Sequence, residues 1–244
     1  SCKPTQVLTW IRNRVAIQMA DSAPAWYEIF KKENSGSYNN QWHVLDYKKF
    51  TPGKELPKDT FWIVEQIPGY IHGEDLTNVL SEQGYFPSYN IPYFKDIFDM
   101  SGYPAAVNKS GSFWTYDHCP RANIFRRDAP KVNTLDQMKR MMRYNDFEHD
   151  PLSLGDAGNA PASRYDLKPE GASRRECFGA MDAKITTREL AEKMAIDAIS
   201  SPTYDQQPYF SWKTTPFQDV QRIGLPEDWK FPWQSFKWDA SEEE

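Results

Sequence analysis

Apolar positions recur with helical spacing near the start of the chain. Val7, Leu8, Ile11, Val15 and Met19 fall on one side, with Arg12, Arg14 and Gln18 elsewhere. The spacing predicts an amphipathic helix over 5–20 that packs on a core. A shorter helix is announced by Ser22 as cap, Pro24 in the first turn, the Trp26/Phe30 pair and Gly36 past its end. Its Lys31 and Lys32 suit the negative end of the helix dipole. The period then shortens to two. Residues 42–48 alternate about Val44 and Leu45, 60–67 are β-branched and aromatic, and Pro52-Gly53 marks a turn between them. This pattern predicts two antiparallel strands of one sheet.

Periodicity fails over 84–94, where Pro87 and Pro92 push Phe86 and Ile91 out of the helical region. An irregular segment so rich in rings suits a cleft wall. Residues 122–125 read as a short strand entering Arg126-Arg127, the two arginines being salt-bridged surface residues beside Asp128. Thr134 and Gln137 form a capping box for a helix carrying Met138, Met141 and Met142 on one side. A loop excursion covers 150–173. Thr186-x-x-Glu189 predicts another capped helix running to about residue 200. The tail from Pro202 is aromatic and proline-rich and must lie on something apolar, and 239–244 form a solvated acidic end.

Composition narrows the class. The 244 residues fit one large domain or a tight pair. Net charge is −5 and the pI near 5.5, which argues against a nucleic-acid partner bound through phosphates. A mean hydropathy of −0.75 would suit disorder, but 15% aromatic residues against 11 leucines places the buried area in rings instead. The chain therefore reads as folded and loop-rich. Even 34–45, free of Asp, Glu, Lys and Arg, is short and polar, so no membrane span is expected. Cys2, Cys119 and Cys177 allow at most one internal bridge. The sequon Asn108-Lys109-Ser110 favours a secretory route and marks Asn108 as a glycosylation candidate.

Candidate chemistry by motif is sparse. Asp117-His118-Cys119-Pro120 sets a thiol beside an imidazole, yet adjacent side chains point apart in extended chain. Ser1 and Cys2 lead into a helix rather than the buried strand an N-terminal nucleophile requires. The histidines at 43, 72, 118 and 149 lack metal-ligand spacing, and no phosphate-binding glycine loop or nucleophile elbow occurs. No cofactor is expected.

Six blocks in order carry a more specific signal. They are Trp-Ile-Arg-Asn-Arg-Val at 10–15, Asn-Ser-Gly-Ser-Tyr-Asn-Asn-Gln-Trp at 34–42, Val-Glu-Gln-Ile-Pro-Gly at 64–69, Pro-Ser-Tyr-Asn-Ile-Pro at 87–92, Pro-Arg-Ala-Asn-Ile-Phe-Arg-Arg at 120–127, and Met-Arg-Tyr-Asn-Asp-Phe at 142–147. Together they resemble the phospholipase B-like family of lysosomal and secreted proteins, most of all the C-terminal half of its second mammalian paralogue. The resemblance implies an α+β fold, the αββα sandwich of N-terminal-nucleophile hydrolases. It implies that 1–244 are the later part of one such domain, with the nucleophilic Cys on an upstream chain of the same precursor.

It further implies an acyl hydrolase acting on a lipid or acylated small molecule, in a lysosome lumen or outside the cell, and it admits a homodimer. Asn90 and Arg121 match polar residues of the family's catalytic pocket. An Asn amide can donate to a developing oxyanion, and Arg121 can hold an anion or favour a thiolate. The alternative is a lipid- or glycan-binding protein that uses the aromatic cleft without turnover. One departure concerns the Cys pair that the family carries after residues 150–154, which 155–159 lack. An oxidising compartment therefore rests on the resemblance and the sequon.

Overall fold

The structure is a computed structural model that describes residues 6–238. It divides into two compact units meeting in sequence between Cys119 and Pro120.

The N-terminal unit is organised by its hairpins. Strands β1 (Gln41–Leu45), β2 (Phe61–Ile67) and β3 (Tyr70–Asp75) form an antiparallel sheet in that order. The expected strand pair is present, and β3 joins it as a third member that the pattern did not announce. Ile67 pairs with Tyr70 across Pro68 and Gly69, whose φ of +82° suits the tight reversal. Because side chains alternate across a strand, β2 feeds two cores. Phe61 and Ile63 pack with Leu76, Phe94 and Ile97, whereas Val64 packs with Ala16, Trp26 and Phe30. This double burial explains why β2 is apolar nearly throughout.

Helices α1 (Thr9–Met19) and α2 (Ala23–Phe30) occur where expected. In α2 the Trp26 and Phe30 rings stack at 4.5 Å, and Trp42 of β1 closes on Phe30 at 5.0 Å. The packed side of α1 is not the expected one. Thr9, Arg12 and Ala16 are buried, while Leu8, Ile11, Val15 and Met19 lie at the surface. The cause is polar. Thr9 donates through its backbone N–H to Ser37 Oγ at 3.1 Å, and Arg12 finds a set of carbonyls that only this orientation reaches. Three helices, α3 (Thr77–Gln83), α4 (Lys95–Met100) and α5 (Tyr103–Ser110), follow β3. All are too short to show a helical period. Between α3 and α4 the chain is irregular, as the two prolines required.

The C-terminal unit opens with α6 (Pro120–Asp128), which overturns the strand expected at 122–125. Proline at the first helical position has no N–H to lose and a φ already suited to the helix, and Ala122 and Ile124 are buried beneath it. Helix α7 (Leu135–Met142) carries the expected capping box, with the Gln137 N–H donating to Thr134 Oγ1 at 3.2 Å and the Thr134 N–H donating to Gln137 Oε1 at 3.1 Å. Only Met141 of its methionines is buried.

Beyond the loop excursion lie β4 (Ala183–Ile185), α8 (Arg188–Glu192), β5 (Ala195–Ile199), β6 (Phe210–Ser211), β7 (Asp228–Trp229) and β8 (Gln234–Lys237). The expected helix to residue 200 is thus a single turn capped by Thr187 rather than Thr186, followed by a strand. Sheet pairing overrides local propensity there: β5 is central in the antiparallel order β4-β5-β8. Asp197 on β5 is bridged to Lys139 of α7 at 2.6 Å and accepts from Ser235 of β8 at 2.6 Å. The Lys139 and Ser235 hydrogen bonds hold its carboxyl below the usual range. The aromatic tail is covered only in part. Phe210 and Trp212 are buried, whereas Phe236 and Trp238 are exposed. The expected acidic end, like Ser1 and Cys2, lies outside the described residues.

Candidate functional site

Asn90 sits in the irregular segment between α3 and α4, and the chain grips that segment from both sides. Tyr89 and Ile91 are buried, so the residue between them is turned outward. The Ile91 N–H donates to the Tyr89 carbonyl at 2.7 Å, a three-residue turn centred on Asn90. The Tyr89 hydroxyl donates to the Tyr116 carbonyl at 2.5 Å, and the Tyr116 hydroxyl returns to the Pro87 carbonyl at 2.8 Å. The Tyr103 hydroxyl donates to the carbonyl of Asn90 itself at 2.5 Å. Burial and the neighbouring Tyr89 push the Tyr116 phenol far above its ordinary range, so it stays a donor.

Beneath the segment lies Glu65 of β2, which is 3% exposed. It accepts from the Tyr93 N–H at 2.7 Å, the Phe94 N–H at 3.0 Å and Gln41 Nε2 at 2.7 Å. Desolvation raises its pKa, and those hydrogen bonds oppose the rise. Beside it His72 stacks on Phe94 at 4.0 Å with planes 6° apart. Its two nitrogens meet Asp96 and Glu74, each at 2.7 Å, and the Tyr70 hydroxyl donates to the same Asp96 oxygen. Partial burial works against charge on His72, but the two carboxylates outweigh it and raise the pKa. The outcome is an exposed amide on backbone that is hydrogen-bonded on every side. No motif pointed to Glu65, His72 or Asp96. Their signal was only an acidic or imidazole residue within a strand, for Glu65 and His72, and an acidic residue in the first turn of a helix, for Asp96.

In the C-terminal unit Arg121 occupies the second position of α6 and is half-buried. A cation there opposes the helix dipole, so helix stability does not account for it. Arg127 is ion-paired to Asp128 at 2.6 Å and also reaches the buried Asp150 at 2.9 Å. The Asp128 hydrogen bond, against some desolvation, raises its pKa. Arg126 donates to Asn123 Oδ1 at 2.8 Å. Asn145, fully buried, donates to the carbonyls of Ala157 at 2.9 Å and Ala162 at 2.7 Å. Arg143 holds the Ser201 carbonyl at 2.9 Å.

Cys119 is buried, and Cys177 is half-buried with a free thiol. Asn108 is exposed in the last turn of α5, its sequon open to solvent. Among the described residues no group of three or more His, Cys, Asp or Glu could hold a metal ion, and no helix is long and apolar enough to cross a membrane.

The family model described as Phospholipase B matches residues 1–236. Phospholipase B-like protein B of Dictyostelium discoideum is 44% identical over 235 residues, which cover 96% of this chain and 41% of that protein. Phospholipase B-like protein C of the same organism is 43% identical over 242 residues, covering 96% of this chain and 42% of that protein. A human phospholipase B-like protein is 44% identical over 247 residues, with 96% and 42% covered. The chain thus spans about two fifths of the length of these relatives.

Proposed function

The chain belongs to the phospholipase B family, and from that premise we propose that it forms the later part of an acyl hydrolase of the N-terminal-nucleophile type. A thiolate outside these 244 residues attacks the acyl carbon of an ester or amide. The α-amine of the same cysteine accepts the thiol proton and delivers it to the leaving alcohol or amine. Water then adds to the thioester, releasing the carboxylic acid and regenerating the thiol. Asn90 donates to the oxyanion formed at each addition, and Arg121 holds the anionic part of the substrate or stabilises the thiolate.

One observation carries the reading: the backbone around Asn90 is fixed by Tyr89, Tyr103 and Tyr116 while Asn90 itself is exposed. Preorganised donors stabilise a developing charge without reorganising when it appears. The small antiparallel sheets and helices are compatible with the α+β fold this reading requires, and the relatives' greater length supports a nucleophile elsewhere in the precursor. The exposed sequon at Asn108 supports a glycosylated protein of the lysosome lumen or the extracellular space.

The test is acyl hydrolysis by the full-length precursor. Asn90→Ala lowers kcat by about 100- to 1,000-fold with the melting temperature retained, and Arg121→Ala lowers kcat/KM. Unchanged hydrolysis in both variants removes the site assignment. Electrospray mass of the native protein is the companion measurement, and the absence of a partner fragment beginning with Cys contradicts the mechanism.

A further inference from the structure

Helices α6 and α7 of the C-terminal unit, with the turn that joins them, line a pocket of about 360 Å³. That volume falls within the range of small-molecule sites. Gln137, Arg140, Met141 and Tyr144 are spaced i, i+3, i+4 and i+7, so one face of α7 and its extension forms a wall. Gln206 joins them from the later chain.

The polar groups this pocket leaves uncommitted are all donors. Gln137 Oε1 accepts from the N–H groups of Asn133 at 2.7 Å and Thr134 at 3.1 Å, and Gln206 Oε1 accepts from the Asn145 N–H at 2.9 Å. A backbone N–H can only donate, which fixes the orientation of both amides and leaves each with its NH2 group to offer. Gln137 is half-buried and Gln206 exposed, and neither NH2 has a partner among the described residues. Arg140 is exposed, and its guanidinium makes no ion pair or hydrogen bond among those residues, although Asp136 precedes it by one turn of α7.

The remaining charges cancel. Asp128, the acidic side chain of the lining, is bridged to Arg127 at 2.6 Å and to Lys131 at 3.1 Å, and Arg127 also reaches Asp150 at 2.9 Å. Two cations thus meet two carboxylates, and the charge of Arg140 is left over. A planar guanidinium takes both oxygens of a carboxylate at once. Val132, Met141 and Tyr144 add apolar surface, and a thioether and a phenol ring both favour an aromatic neighbour. We propose that this pocket binds an aromatic monocarboxylate, its carboxylate gripped by Arg140 and the NH2 groups of Gln137 and Gln206 and its ring set against Val132, Met141 and Tyr144. The proposal draws on neither Asn90 nor Arg121 and requires no turnover, so it stands or falls apart from the acyl-hydrolase reading.

Phenylacetate is the probe, titrated into the full 244-residue chain and followed by saturation-transfer NMR to a dissociation constant. Saturable binding is expected. Phenylacetamide, with the same ring and no charge, and phenyl phosphate, a dianion facing a single uncompensated cation, each bind at least tenfold more weakly, as does hexanoate, which lacks the ring. Arg140→Gln weakens phenylacetate by roughly ten- to hundredfold, and Arg140→Lys, which keeps the charge without the fork, recovers part of that loss. Gln137→Glu is the sharper variant. Its carboxylate still accepts from Thr134 and keeps the capping box, while the NH2 becomes an oxygen that repels the ligand. Binding is therefore abolished with the circular dichroism spectrum and melting temperature retained. Absence of saturable binding overturns the proposal, as does binding that survives Arg140→Gln or Gln137→Glu, or that is equally tight for phenylacetamide, phenyl phosphate or hexanoate.

Discussion

Arg12 Nη1 donates to Oε1 of Gln66 at 3.0 Å, joining α1 to β2 across 54 residues of sequence. Arg12 is 4% exposed, its guanidinium lies 4.3 Å from the Phe30 ring centre, and its other donors reach the carbonyls of Phe30 and Lys32. Gln66 in turn donates to Thr9 Oγ1 at 3.0 Å. Desolvation lowers the pKa of Arg12 to about 10, yet it remains charged at neutral pH.

Arg12→Met keeps the bulk and strands those acceptors, so it destabilises the protein by about 2–4 kcal/mol in urea unfolding. Combined with Gln66→Leu, the two changes are non-additive by roughly 0.5–3 kcal/mol. Strict additivity would show that the pair does not act as a unit.

His72 stabilises the fold in acid. Its pKa is raised in the native state, so the unfolded chain loses the proton first. The contribution is complete below the unfolded value near 6.5 and disappears as pH rises through the native value. His72→Gln therefore lowers Tm at pH 5 by about 1–3 °C, an exposed-pair magnitude, and leaves Tm at pH 9 unchanged. An equal shift at both pH values contradicts this.

Gly36 has φ +64°, and a Cβ there would lie 2.4 Å from Pro68 Cα. Backbone meeting backbone cannot relax by a rotamer change, so Gly36→Ala costs about 2–4 kcal/mol. The matched control is Gly53→Ala, with φ +73° and no atom within 4 Å, which carries only the backbone term. Chemical denaturation of both separates the clash from the strain.

Arg164→Met leaves Asp166 charged in a site where it is 6% exposed, and destabilises by about 3–5 kcal/mol. Replacing both partners, Arg164→Met with Asp166→Leu, recovers part of that loss because no ion is left buried. A double variant less stable than Arg164→Met would show that the two carbonyls held by Arg164 matter more than the ion pair.

Where a cap or a two-residue period was written locally, the sequence could be read directly. Thr134 with Gln137 set the start of α7, and Ser22, Pro24, Trp26 and Phe30 located α2. Position along the chain was legible for α1, but its orientation was not, because carbonyls some twenty residues downstream select which face is buried. Residues 195–199 form a strand because β4 and β8 pair with them, and no local pattern encodes that partnership. The six family blocks marked Asn90 and Arg121, and the structure places within them Arg12, Glu65, Gln66, Arg143 and Asn145 as buried polar hubs. A buried polar residue looks like a surface one until its partners are known, which is why the blocks were recognisable while those roles were not.

The outward stripe of α1, with Leu8 49% and Met19 69% exposed, has a colloidal consequence. Four apolar side chains on one exposed flank give this chain a tendency to attract copies of itself. Sulfate strengthens such attraction and mild denaturant weakens it. In light scattering, the osmotic second virial coefficient of these residues by themselves falls as sulfate rises, and Ile11→Lys with Val15→Glu restores repulsion without touching Thr9, Arg12 or Ala16.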